Sequence, residues 1–118
     1  MRRLSVALLG ALFWVVPAGA DDCDSATTQA AMNQCAADMY AEADKQLNLT
    51  YKNLMAKLEA SRQEALKQAQ RDWIKYRDSH CKSEAAAVQG GTLYGSVVNG
   101  CLAEETKLRL EKLKIMDQ

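Results

Sequence analysis

Apolar residues recur along this chain at intervals of three and four, and the positions between them are mostly polar or charged. From Asp21 to Gln89 there is no glycine or proline, and the four glycines that follow, Gly90, Gly91, Gly95 and Gly100, fall in one short window. Glycine and proline punctuate turns, so the pattern predicts long helices on either side of one loop. The first helix begins near Ser25 to Thr28, whose hydroxyls suit an N-cap. It carries Met32, Cys35, Met39, Ala43, Leu47, Tyr51, Leu54 and Leu58 as one stripe. Asn48-Leu49-Thr50 is a weak spot within it, where a kink fits. Ser61-Arg62-Gln63-Glu64 matches a capping box, so the first helix ends near Glu59 and a second starts there. The second carries Leu66, Ala69, Gln70, Trp73, Ile74, Arg77 and Cys81 and runs to about Val88. A third runs from about Val97 or Gly100 to Met116, with Leu102, Leu110, Leu113 and Met116 on its buried side. The expected fold is all-α: a small bundle of three helices, a long antiparallel hairpin plus a third helix.

The N-terminus does not share this pattern. Met1-Arg2-Arg3 is basic, Leu4 to Val16 is apolar and uncharged, and Pro17-Ala18-Gly19-Ala20 places small residues where a signal peptidase reads. Residues 1–20 are therefore expected to be a cleaved signal peptide, and 21–118 a single domain. Removing 20 of the 118 residues changes the composition. The formal charge falls from zero to −2, because Arg2 and Arg3 leave. Apart from alanine and cysteine, 24 apolar side chains remain to build a core, a thin supply for a small domain. No basic excess points to nucleic acid. After leader cleavage no apolar stretch is left to anchor the chain in a membrane.

Cys23, Cys35, Cys81 and Cys101 all follow the leader. Four cysteines in a small exported chain read as two structural disulfides, with three connectivities open. Their intervals include no C-x-x-C pair, so neither a metal site nor haem attachment is expected, and no cofactor is implied. Counted from the turn near Ala60, Cys35 and Cys81 lie 25 and 21 residues up their helices, a difference in level of about 6 Å. Cys101 opens the third helix at that same end and Cys23 precedes the first. Two bridges here would offset the thin core by about 3 kcal/mol each.

Candidate chemistry is sparse. Asp72, Tyr76 and His80 share a helix face, and would form an acid–base pair with an orienting carboxylate if the chain were an enzyme. A lone histidine without a nucleophile does not make a catalytic site, and no catalytic residue is assigned. Glu104 and Glu105 are adjacent and point to different faces, unlike a facing glycosidase pair. Asn48-Leu49-Thr50 fits a glycosylation acceptor, but mid-helix placement argues against that use. The Gly90-Gly91-Thr92-Leu93-Tyr94-Gly95-Ser96 segment lacks phosphate-loop spacing. It places a leucine and a tyrosine on a loop between stapled helices, and is the candidate partner-binding loop.

Several pieces together resemble a known family: the Cys23/Cys35 pair, Leu47-Asn48-Leu49-Thr50-Tyr51, Ala69-Gln70-Arg71-Asp72-Trp73, and Tyr76-Arg77-Asp78-Ser79-His80-Cys81. Gly90-Gly91-Thr92, Cys101, Glu105-Thr106 and Arg109 complete the match. The chain from Cys23 to Leu113 resembles the LprI-like lysozyme inhibitors, exported bacterial helical proteins. The resemblance implies a binding protein that occludes a macromolecule rather than an enzyme, with lysozyme or another envelope protein as partner. It marks Asn48, Tyr51, Gln70, Trp73 and Arg77 as structural motif residues. The family's founding member is lipid-anchored, whereas Cys23 here follows Ala20-Asp21-Asp22 and lacks a lipobox. A periplasmic or secreted protein is expected. Lysozymes are commonly basic with an acidic catalytic cleft, so an inhibitor benefits from an acidic surface and a protruding loop. A charge of −2 gives little steering, and Tyr94 or Ser96 would reach the catalytic carboxylates. The alternative is an envelope interaction or scaffold protein with another partner.

Overall fold

The computed structural model describes residues 23–118. The expected leader and its cleavage site after Ala20 lie outside the described residues. Three helices, α1 (Gln29–Lys57), α2 (Ala60–Glu84) and α3 (Tyr94–Met116), follow one another, with a short 3-10 turn at Ala86–Val88. The described residues contain no strand, and the all-α, doubly disulfide-stapled architecture stands as expected.

Helix α1 begins at Thr28, whose Oγ1 accepts the Ala31 N–H. It runs through Asn48-Leu49-Thr50 without interruption. There Asn48 donates to Asp44 one turn back, satisfying its amide on the helix surface. The expected capping box at Ser61 does not form. Leu58 and Glu59 are both extended, so α2 starts at Ala60 and Ser61 already lies inside its first turn. The Ser61 hydroxyl donates to Glu59 instead, and Gln63 reaches back to the Met55 carbonyl at 2.9 Å, closing the end of α1. Helix α2 also stops at Glu84, short of the expected Val88. Helix α3 starts at Tyr94, ahead of Val97, so the connection between the two helices begins earlier and ends earlier than the sequence pattern predicts.

Helices α1 and α3 run in the same direction. Ser96 meets Asn33 at one end and Lys57 pairs with Asp117 at 2.8 Å at the other. Their seam holds buried Ala36, Ala43, Ala103 and Thr106, and such small side chains let two helix axes approach closely. Helix α2 returns antiparallel to α1, with the Arg77 guanidinium 5.4 Å from the Tyr40 ring centre. It faces its neighbours through Gln70, Trp73 and Arg77 and stands farther off, so α3 rather than α2 is the nearest neighbour of α1.

Leu47, Leu54, Leu66, Leu110 and Leu113 form the buried core near the α1–α2 turn, covered by Tyr51, Met55, Leu58 and Trp73. Two expected core positions are corrected. Met32 is 38% and Met116 52% exposed, because in each of these terminal turns the neighbouring residue makes the contact with the facing helix, Asn33 with Ser96 and Asp117 with Lys57. Ala36, one turn further into α1, is buried instead of Met32.

Candidate functional site

The two disulfides join cysteines that are sequence neighbours, Cys23–Cys35 and Cys81–Cys101, with Cα separations of 5.8 and 5.5 Å. The first ties the segment before α1 onto that helix. The second ties the end of α2 to α3, and Cys81 is wholly buried. Between Cys81 and Cys101 the chain makes its Gly-rich crossing, where Gly90 has φ +80°, a conformation suited to glycine. Gln89, Gly90, Gly91, Thr92 and Leu93 are exposed, Leu93 by 48%.

The rest of the expected partner-binding loop is held down. Tyr94, Gly95 and Ser96 form the first turn of α3 and are half-buried. The Ser96 hydroxyl donates to Asn33 Oδ1 and accepts from Gln29 Nε2 at 2.9 Å, while Asn33 Nδ2 donates to the Thr92 carbonyl at 3.1 Å. Gly95 lies so close to α1 that a Cβ there would come within 3.1 Å of Asn33. Ser96 is therefore committed to α1. The protruding element is the five-residue tip from Gln89 to Leu93.

Charge separates along the bundle. Residues 85–103 contain no ionisable side chain apart from Tyr94 and the disulfide-bonded Cys101. Behind this uncharged tip, residues 23–43 and 74–104 together carry six acidic and three basic side chains. One of those three, Arg77, is buried. At the opposite end, residues 44–73 and 105–117 carry ten basic against seven acidic. A nearly neutral total thus conceals an acidic disulfide end and a basic turn end.

Tyr76 and His80 are stacked, with ring centres 5.5 Å apart. The partner expected for His80 is not Asp72, which instead accepts from Gln68. Glu105 and Glu84 approach His80 Nε2 at 3.6 and 3.9 Å, the first from α3 and the second one turn along α2.

Asn48, Tyr51, Gln70, Trp73 and Arg77, scattered over 30 positions, all line one cleft of about 360 Å³ between α1 and α2. Trp73 also borders a second groove, of about 700 Å³, between α2 and α3, so its indole stands between α2 and both neighbours. The guanidinium carbons of Arg77 and Arg109 lie 5.0 and 5.9 Å from its ring centre. Arg109 donates to Gln70 Oε1 at 2.9 Å, and Arg77 donates to Asp78 at 3.0 Å and more weakly to Thr106. Burial draws Arg109 below the ordinary arginine value. Burial likewise raises Tyr40, opposed in part by the positive charge of Arg77. The chain pattern left Arg109 and Thr106 without a role. The spacing of Ala103, Thr106, Leu110 and Leu113 contained the signal for Thr106, whereas no local pattern marks the partnership of Gln29 and Asn33 with Ser96.

A sequence model for the family described as lysozyme inhibitor LprI matches residues 20–113. An uncharacterized protein of Rhizobium meliloti (strain 1021) is 37% identical over 131 aligned positions, covering 97% of this chain and 94% of that protein. No solved structure matches. Among the described residues, no helix is long and apolar enough to cross a membrane.

Proposed function

The chain belongs to the lysozyme inhibitor LprI family, and on that premise we propose that it is an exported binding protein that occludes a lysozyme by inserting its tip, Gln89 to Leu93, into the enzyme's cleft. The observation that carries this reading is the distribution of charge around the tip. A plug that enters a site built on two carboxylates must carry no negative charge itself. The tip is uncharged, and the excess of acidic side chains stands behind it, where it attracts the basic surface of the enzyme without entering the cleft. The Cys81–Cys101 bridge and the Asn33–Ser96 contacts hold both ends of the tip, which lowers the entropy lost on binding.

Export supplies the oxidising compartment that the two disulfides require. The role is one of occlusion, and no residue is assigned a catalytic part. Lysis of a cell-wall suspension by lysozymes of each class, with and without the oxidised, leader-free protein, tests the reading. Micromolar protein is expected to slow at least one class. Leu93→Asp, which brings a negative charge to an exposed tip position, is expected to weaken inhibition by roughly tenfold or more while leaving the melting temperature unchanged. Indifference of every lysozyme class to the protein would remove the proposal and favour a different envelope partner.

A further inference from the structure

We propose that the cleft between α1 and α2 binds a small zwitterionic ligand of about dipeptide size, its carboxylate toward Lys67 and Arg71 and its amine toward Asp44. The starting point is Gln70, only 8% exposed. Its Oε1 accepts from Arg109, which fixes the orientation of the amide. Its Nε2 then faces the cleft, and no described residue accepts from it. Every fully buried side-chain nitrogen and oxygen among the described residues has a partner, so this amide nitrogen remains reachable from the cleft. An NH₂ group held in a nine-tenths-buried side chain and without an acceptor among the described residues is a donor directed at whatever enters the cleft.

The surroundings say what kind of acceptor. Arg77, 7% exposed, has five donors, of which Asp78, Thr106 and Tyr40 engage no more than three, and it lines the same cleft. The Tyr51 hydroxyl, without a hydrogen-bond partner among the described residues, and the exposed cations Lys67 and Arg71 lie on the cleft as well. Lys67 is shared with Glu64 at 3.2 Å, whereas Arg71 has no carboxylate partner among the described residues. Donors and positive charge thus dominate, and they favour a carboxylate.

One anionic group interrupts them. Asp44 lines the cleft too, with Asn48 as its hydrogen-bond partner. Counted from the Tyr40–Arg77 contact between the antiparallel helices, Arg71 and Lys67 fall about two and six residues beyond the level of Asp44, roughly 3 and 9 Å along the axis. A ligand that satisfies both sides of the cleft carries opposite charges at its two ends, as a free dipeptide does, and the cleft volume accommodates one.

The site lies on the flank of the bundle, away from the tip, so its occupancy is independent of lysozyme binding and is measured without the enzyme. The test is a titration of the isotopically labelled, oxidised protein with free glycyl-leucine, its C-terminal amide and its N-acetyl form, followed through the Gln70 side-chain amide and Trp73 indole resonances. The free dipeptide is expected to give saturable shifts at millimolar concentration, with each blocked form binding roughly tenfold more weakly. Gln70→Glu retains an acceptor for Arg109 but replaces the open donor with a negative charge, and is expected to abolish binding. Arg71→Ala, a change at an exposed position, is expected to weaken it about tenfold without altering the fold. Absence of saturable shifts up to about 10 mM, or equal binding of the free and blocked forms, overturns the proposal.

Discussion

The two ends of this bundle are held by different physics. At the α1–α2 turn, five buried leucines pack together and aromatic and aliphatic side chains close over them. At the opposite end the buried seam is alanine, and two disulfides with a Gln29–Asn33–Ser96 hydrogen-bond network supply the order. Covalent and polar closure at that end leaves large apolar side chains unnecessary there. Glycines and an exposed, uncharged tip are tolerated as a result. The comparison also runs through charge, basic at the leucine end and acidic at the disulfide end.

If the comparison is right, perturbing each end should have a different reach. Leu113→Ala opens a cavity in a position with no exposure, and is expected to destabilise the whole bundle by about 4 kcal/mol. Denaturant unfolding should move as one transition, with the slope unchanged. Replacing Cys81 and Cys101 together by alanine should lower stability by about 3 kcal/mol, and hydrogen exchange should accelerate first between residues 82 and 100. Uniform acceleration across all three helices would break the distinction between the ends. The smallest expected effect comes from Ser96→Ala, about 1 kcal/mol, through loss of its bonds to Asn33 and Gln29. Faster exchange confined to the first turns of α1 and α3 would sharpen the comparison, because it would locate that network's influence at the tip.

Much of the fold was legible along the chain because helical periodicity is a local property. The stripe through Cys35, Met39, Ala43, Leu47, Tyr51, Leu54 and Leu58 reproduces the inward face of α1, apart from the substitution of Ala36 for Met32. The boundaries were less legible. Ser61 looked like a cap because its neighbours fit the pattern, but cap geometry depends on the extended Leu58-Glu59 link that precedes it. Helix α3 is expected to start later because Tyr94-Gly95-Ser96 is a poor helix start by composition, and the contacts with Asn33 hold it as one.

The same division applies to the candidate sites. The sequence by itself determined the helical class, the confinement of glycine to one crossing and the gathering of four cysteines at that end, since composition and spacing suffice for each. Tertiary structure alone decided the pairing of those cysteines, the choice of α3 as the close neighbour of α1, and the convergence of Asn48, Tyr51, Gln70, Trp73 and Arg77 on one cleft. Helix periodicity tells which residues face inward, but the distance between two facing helices depends on the bulk each presents to the other. Alanine brought α1 and α3 together, and the Trp73 indole kept α2 apart.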